Sequence, residues 1–100
     1  MGLVLKLKNG EGFSLNYEDR RIEVTLIDDY SRKAIFEITR QNDSNIHQIA
    51  ISYGSSYRID NLPETTFVPF RSHCQTKVDI NAPQEVKIYR FAIEAGKIPQ

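Results

Sequence analysis

The sequence has a single cysteine, Cys74, among its 100 residues. One cysteine can form no internal disulfide and cannot supply a cysteine-rich zinc site, which fits a reducing compartment. No apolar run approaches the roughly 18 residues that a membrane-spanning helix needs, and the first residues lack the basic-then-apolar layout of a secretory signal. We therefore expect a cytoplasmic protein with no disulfide and no contact with a membrane.

An excess of charge of either sign is also missing, because 13 basic residues balance 13 acidic ones. This balance excludes a strongly basic coat for nucleic acid. With 40% apolar and 26% charged residues, the composition is that of an ordinary globular protein. The length predicts one domain, residues 1–100, and the core of so short a chain is small, which favours dimerisation.

The chain lacks a recognisable catalytic or metal-binding arrangement. His73 and Cys74 are adjacent, so an extended backbone points them to opposite faces, and His47 has no local partner at metal-ligand spacing. Cys74 and Ser72 lie in no nucleophile elbow and near no phosphate-binding glycine loop. We expect no enzymatic activity, no metal and no cofactor.

Apolar and polar residues alternate with a period of two through much of the chain, which is typical of β-strands. The predicted strands are residues 3–8, 13–17, 22–27, 34–39, 77–80 and 85–90. The turn at Asn9-Gly10 joins the first two into a hairpin, and the turn at 28–33 joins the next two. A short helical turn is expected at 91–95, before Gly96. The expected fold is mostly β, a small antiparallel sheet or barrel, with no internal repeat.

Residues 41–76 differ in composition, since they contain only two basic residues and are rich in serine, asparagine and threonine. Alternation on both sides of a glycine-serine turn predicts a third hairpin, formed by residues 49–53 and 57–59. Pro63 and Pro69 argue against a central strand in the following stretch, because proline cannot donate to a strand ladder. We expect a loop or an edge strand there.

Two separated segments resemble one protein family. Residues 3–11 read Leu-Val-Leu-Lys-Leu-Lys-Asn-Gly-Glu and are similar to the first strand and turn of the carbon storage regulators, small bacterial translational repressors. Residues 78–90 contain Asn-Ala-Pro-Gln-Glu-Val and end in Tyr-Arg, which resembles the specific signature of that family. The resemblance covers residues 3–40 and 77–93, and it makes residues 41–76 an insertion.

The resemblance implies a strand-exchanged homodimer in which the first strand of one subunit lies beside the last strand of the other. It also implies that this paired edge binds single-stranded GGA in hairpin loops of mRNA leaders, rather than DNA, and so controls translation. The RNA-contacting positions that carry over are Leu5, Lys6, Leu7, Lys8, Asn81, Ala82, Pro83, Val86, Ile88, Tyr89 and Arg90. The family usually has two successive arginines where this chain has Leu7 and Lys8, so one contact is missing and another becomes a point charge.

Each candidate residue also has a simpler interpretation. Arg90 is suited to bind a phosphate or the edge of a guanine, but it is equally interpreted as a solvated charge at a strand end. Lys6 and Lys8 share one face of the first strand, where they can follow an RNA backbone or serve only to protect an edge strand. Residues 81–83 can present backbone groups to an unstacked base or form an ordinary turn.

A second hypothesis keeps the same scaffold but assigns it to protein binding. In this alternative, Leu7 replaces a needed cation, and residues 41–76 bind or antagonise a regulatory protein without RNA. A generic small β-barrel with a small ligand is a third reading. The aromatic residues of this stretch can stack on bases or belong to the core; they are Tyr53, Tyr57, Phe67 and Phe70.

Overall fold

The structure, a computed structural model, describes residues 2–41 and 44–92, which form nine strands. The strands are β1 (Gly2–Leu7), β2 (Glu11–Tyr17), β3 (Arg20–Asp29), β4 (Lys33–Arg40), β5 (Ile46–Ser52), β6 (Tyr57–Arg58), β7 (Thr66–Ser72), β8 (Gln75–Asn81) and β9 (Lys87–Ala92). This described part of the chain includes no helix that is long and apolar enough to cross a membrane.

The strands form two antiparallel sheets. One sheet has the order β1-β8-β7-β6, and the other has the order β5-β4-β3-β2-β9. The prediction of a mostly β, antiparallel fold is therefore confirmed. The hairpin predicted across residues 28–33 is also confirmed, as β3 and β4, with a register shift between Leu26 and Asp28.

Two other predicted hairpins are wrong. β1 pairs with β8, whereas β2 pairs with β3 and β9, so the turn between β1 and β2 crosses from one sheet to the other. In the same way, β5 pairs with β4 and β6 pairs with β7. Alternation fixes which residues face the core, but it does not choose a partner strand, and here the choice is made by the packing of distant segments.

The expectation that prolines exclude a central strand also fails. β7 lies between β8 and β6, and it contains Pro69. The short β6 pairs only with Thr66 and Phe67, so no strand bond on that side is lost at the proline. The carbonyl of Pro69 instead accepts a hydrogen bond from the N–H of Gly54 at 2.8 Å.

The C-terminal helical turn is not found where the structure describes the chain. Phe91 and Ala92, its first two residues, belong to β9 and pair with β2. Residues 93–95 lie outside the described residues. Pairing with β2 gives the backbone of residues 91 and 92 strand hydrogen bonds, which exclude a helical conformation there.

The core lies between the two sheets and is centred on Phe67 of β7. The Phe67 ring contacts Phe13 and Phe36 of the opposite sheet in edge-to-face geometry, with centroids 5.6 and 5.3 Å apart. Tyr57 packs against the same ring at 5.6 Å. Because β5, β6 and β7 complete both sheets, the described part of residues 41–76 contributes to the two sheets and to the core between them.

The strand order contains an internal repeat, contrary to the expectation of none. β1–β4 and β5–β8 are two units of four strands. In each unit the last three strands form an antiparallel meander, β2-β3-β4 or β6-β7-β8. The first strand of each unit pairs instead with the last strand of the other, β1 with β8 and β5 with β4. β9 lies outside the repeat and pairs with β2.

The turns after β1 and β5 show that the repeat extends to single residues. Gly10 and Gly54 occupy equivalent turn positions with φ of 91° and 89°. The N–H of Gly10 donates to Leu26 of β3 at 2.7 Å, and that of Gly54 donates to Pro69 of β7 at 2.8 Å. Both turns need a residue in the left-handed backbone conformation at this point, and glycine adopts that conformation without steric cost.

The same turns close with equivalent hydrogen bonds. The N–H of Glu11 donates to the carbonyl of Lys8 at 2.9 Å, and that of Ser55 donates to the carbonyl of Ser52 at 3.0 Å. Inward positions of the two units also match and carry large apolar or aromatic side chains: Leu5 and Ile49, Leu7 and Ile51, Phe13 and Tyr57, Leu15 and Ile59, Val24 and Phe67, Ile38 and Ile80. The sequence conceals the repeat because the units share this pattern and not residue identities.

Candidate nucleic-acid interface

β1 and β9 are edge strands of different sheets, and each has one side that no other described strand pairs with. A tight turn joins β1 to β2, the neighbour of β9, while residues 82–86 join β8, the neighbour of β1, to β9. Among the described strands, β1 and β9 do not pair with each other. We call β1, β9 and the two connecting turns the β1–β9 seam.

The carboxylate of Glu11, the first residue of β2, links the turn after β1 to Arg90 of β9. Its Oε1 atom accepts a hydrogen bond from the backbone N–H of Lys8 at 2.8 Å and another from Nη2 of Arg90 at 3.2 Å. The side chain of Glu11 is 17% exposed and that of Arg90 is 47% exposed. The guanidinium is thus oriented beside the end of β1, and its other N–H donors have no partner within residues 2–41 and 44–92.

Lys6 and Lys8 give this end of the seam its positive charge. Both are exposed, and neither forms an ion pair with another residue that the structure describes. Lys6 lies directly opposite Lys77 of β8. Like charges at directly opposed positions are unfavourable in a sheet, and an anion bound over them relieves that repulsion.

A cleft of about 250 Å³ adjoins these lysines, and Asp29, which lines it, forms an ion pair with Arg71 at 3.7 Å. Asp29 in the cleft accepts a hydrogen bond from the Thr76 hydroxyl at 2.9 Å. The neighbouring Asp28 accepts a hydrogen bond from the side-chain amide of Asn9 at 3.5 Å. A hydrogen bond to Asp28, and then the negative charge of that carboxylate, raises the pKa of Tyr30 above its usual value. Asp28 has no ion pair among the described residues, and its carboxylate disfavours an anion near the turn between β3 and β4.

The other end of the seam carries the Asn-Ala-Pro turn. Asn81 pairs with Gly2 at the start of β1, and the turn is closed by a hydrogen bond from the N–H of Val86 to the carbonyl of Pro83 at 3.1 Å. Asn81 to Pro83 therefore lie at the end opposite to Lys8 and Arg90. A strand of six residues spans about 20 Å, so the residues that the resemblance selects are spread along the whole seam.

The candidate residues differ in how much of each side chain a ligand can reach. Leu7, Ala82 and Val86 are buried in the core, which leaves only their backbone for contact. Leu5 and Ile88 are half-buried and pack against the core. Pro83 is half-buried, and Asn81 is exposed. Tyr89 is 59% exposed and stands out from β9.

Sequence reasoning does not identify three residues in or next to the seam. Glu11 was assigned only to a turn, and no local pattern shows that its carboxylate reaches Arg90. Lys77 was assigned only to a strand, and its position opposite Lys6 follows from the pairing of β1 with β8. Val4 is exposed and shares the outward face with Lys6, which the period of two already indicated.

The remaining candidates do not gather into a site. Phe67 is fully buried, so it cannot stack on a base, and Tyr57 packs against it. His73 and Cys74 have positive φ in the turn between β7 and β8, and Cys74 is exposed. Among the residues that the structure describes, no three histidine, cysteine or acidic side chains are close enough to hold a metal.

The equivalent edge of the second unit lacks this chemistry. Ala50 and Ser52 of β5 stand where Lys6 and Lys8 stand in the first unit, and Ser55 stands where Glu11 does. Within the described part of the chain, no strand corresponds to β9 on the outer edge of β6. The cationic seam is therefore found once, although the backbone around it is repeated.

Comparison of the chain with protein-family models, curated proteins and solved structures found no match. A functional assignment therefore depends on the geometry of the seam and on the residues of the two resembling segments.

Proposed function

We propose that this protein is a cytoplasmic post-transcriptional regulator that binds single-stranded RNA along the β1–β9 seam. One observation carries the proposal: Glu11 connects the end of β1 to Arg90 of β9. This contact supports the proposal because it brings together residues 3–11 and 78–90, the two segments that resemble the carbon storage regulators. They are far apart in sequence, and neither alone forms a binding surface.

The chemistry of the seam suits an unpaired RNA loop. Lys6 and Lys8 can bind two phosphates on the same side of β1. The unpartnered N–H groups of Arg90 can donate to O6 and N7 of a guanine, and the exposed ring of Tyr89 offers a surface on which a base stacks. Protein bound to a GGA loop over a ribosome-binding site would exclude the ribosome and so repress translation.

The test is a titration of the protein with a hairpin RNA that exposes GGA in its loop and with a matched hairpin that lacks it. We expect the GGA loop to be preferred, and Arg90→Ala to weaken its binding by roughly 5- to 150-fold, because a bidentate contact to guanine is worth about 1–3 kcal/mol. Arg58→Ala, which removes an exposed arginine from the outer edge of the other sheet, serves as the charge-matched control. Equal affinity for both hairpins, or an unchanged affinity in Arg90→Ala, would rule out the proposal.

The homodimer that the resemblance implies remains part of the proposal. The free edges of β1 and β9 are the surfaces through which two chains would pair. The internal repeat offers a different arrangement, because first strands are already exchanged between the two units of one chain. Native mass spectrometry of the RNA complex distinguishes them: a homodimer contains two chains and two RNAs, and a monomer contains one of each.

A further inference from the structure

The outer edge of β6 is the counterpart of the edge of β2 that pairs with β9. No strand within residues 2–41 and 44–92 pairs with that edge of β6. A cleft of about 610 Å³ lies beside it, between β5 and β6. We call it the β5–β6 cleft; residues that line it include Ile38, Ile46, Ile49, Tyr57, Asp60 and Asn61. Among the described residues, no strand fills in the second unit the position that β9 fills in the first.

We infer that the β5–β6 cleft binds an extended segment of a partner protein, which adds to β6 as a further strand. The inference rests on the internal repeat and is independent of RNA binding at the β1–β9 seam. It gives the protein-binding alternative a defined location, inside the stretch that has no counterpart in the resembling family.

The backbone of β6 is ready to accept such a strand. Tyr57 pairs with Phe67, and the N–H of Ile59 donates to the carbonyl of Thr65 at 2.9 Å. Successive residues of an antiparallel strand direct their N–H and C=O groups to opposite sides. Arg58, between these two residues, therefore directs both backbone groups to the open edge, where a partner strand can bond to them.

The register of β9 against β2 predicts which residues of a partner strand would fit against β6. Lys87 lies opposite Asn16 and Ile88 lies opposite Leu15. The counterparts of Asn16 and Leu15 in the second unit are Asp60 and Ile59, which directly follow β6. We therefore expect a basic residue of the partner opposite Asp60, followed by an apolar residue opposite Ile59.

Charge and exposure at the cleft agree with this pattern. Asp60 is exposed and forms no ion pair with a residue that the structure describes. A basic residue of the partner would therefore form an ion pair with its carboxylate. Ile46 is 61% exposed, the highest value among the large apolar side chains found exposed. The half-buried Ile49 beside it packs against the core. An added strand would cover the apolar side chains and pair the carboxylate.

RNA is a poorer fit to this cleft. The lysines that line the first unit's edge are replaced by Ala50 and Ser52. Arg40 and His47 also line the cleft, but Asp60 would repel a phosphate. The observations thus favour a protein segment over a nucleic acid.

The probe for the test is a synthetic peptide with capped ends and the sequence of residues 85–92, Glu-Val-Lys-Ile-Tyr-Arg-Phe-Ala, because it carries the expected pattern. Fluorescence anisotropy of the labelled peptide with the full-length protein measures affinity, and amide chemical shifts locate the site. We expect saturable binding with shifts at Arg58, Asp60 and β5. No saturation up to about 1 mM would overturn the inference.

Substitutions at Arg58 test the edge itself. Arg58→Pro removes the N–H that faces the open edge without removing a bond between β6 and β7, and it should weaken peptide binding at least about tenfold. Arg58→Ala keeps that N–H and should bind like the unmodified protein. Retained binding in Arg58→Pro, or shifts confined to β1 and β2, would contradict docking on β6. Chemical-shift changes at the cleft residues that are caused by single-stranded RNA and not by the peptide would also contradict docking of a protein segment.

A charge exchange keeps the test decisive should the proline variant fail to fold. Asp60→Lys should weaken binding of the peptide, and a second peptide with glutamate at the position of Lys87 should restore it. The substituted side chain of Asp60 is exposed, so Asp60→Lys should leave folding unaffected. An affinity that does not respond to either exchange would show that the peptide does not lie in the predicted register.

Discussion

In the first four-strand unit, the residue after the turn glycine is Glu11, which binds Lys8 and Arg90; in the second unit the equivalent Ser55 only closes the turn. The two turns otherwise agree in φ at the glycine and in both backbone hydrogen bonds. Inward positions and turn glycines are thus sufficient to build the backbone twice. Outward positions are free to differ, and they determine which copy bears a charged seam.

The second strands of the units differ for a related reason. β2 has seven residues and is paired on both sides, whereas β6 has two and is paired only with β7. Beyond β6 the chain turns at Asn61 and Glu64, which both have positive φ. The chain therefore leaves β7 soon after β6 begins, and β6 pairs with it only at Tyr57 and Arg58.

The largest expected effect comes from the one ring that both units share. Phe67→Ala removes contacts with Phe13 and Phe36 across the core and with Tyr57, and should lower the free energy of unfolding by about 3–5 kcal/mol. Urea denaturation measures the loss. Phe70→Ala, a half-buried aromatic on the same strand, is the control and should lose clearly less. Equal losses would mean that the two units do not depend on a common core.

The two units should differ in their tolerance of a side chain at one equivalent position. Gly12 of β2 is buried between β3 and β9, and a Cβ atom there would collide with the backbone carbonyl of Val24. Gly12→Ala should therefore cost about 1–3 kcal/mol of stability or more, because strands on both sides prevent relaxation. Its counterpart Ser56 is exposed, and Ser56→Ala should change stability by less than about 0.5 kcal/mol. Chemical denaturation of the two variants gives the comparison, which similar values would contradict.

The positions of most strands could be predicted from the sequence alone, but most of their pairing could not. Alternation located most strands correctly, since inward positions such as Leu7, Phe13 and Ile80 must be apolar wherever their strand pairs. It could not assign β1 to β8 or separate β5 from β6, because partner choice depends on contacts between distant segments. Pro69 was misjudged for the same reason, as its free side is determined by the length of β6.

The candidate site was predicted in part. Lys6, Lys8 and Arg90 are named by the resemblance to a family, and in the structure one oxygen of Glu11 accepts hydrogen bonds from the backbone N–H of Lys8 and the guanidinium of Arg90. Glu11 was not predicted, because its role depends on a contact with a strand near the other end of the sequence. The burial of Leu7 and Val86 was also missed, since a list of matched positions does not say which atoms face solvent.

A third prediction sharpens the contrast between the lysines of β1 and their counterparts in β5. Lys6→Ala and Lys8→Ala should each weaken RNA binding and reduce the slope of log K against log salt by about 0.7, the value for one phosphate contact on a single strand. Ala50→Lys should change neither quantity, because no counterpart of Arg90 accompanies it in the described chain. Titrations at several salt concentrations provide the slopes. A gain in affinity from Ala50→Lys would show that charge alone, rather than the seam, binds RNA.

The smallest effect on stability is expected from a substitution at Glu11 that separates its hydrogen bond to Lys8 from its ion pair with Arg90. Glu11→Gln keeps an acceptor oxygen for the N–H of Lys8 but removes the charge that orients Arg90, a pair whose guanidinium is nearly half exposed. Stability should fall by less than about 1 kcal/mol, as is usual for exposed ion pairs. Preference for GGA over a loop that lacks it should fall further, since an unrestrained guanidinium binds any phosphate as readily as a guanine edge. The matched variant is Ser55→Ala, and competition between the two hairpins is the measurement; preserved selectivity in Glu11→Gln would mean that the position of Arg90 is fixed by β9 alone.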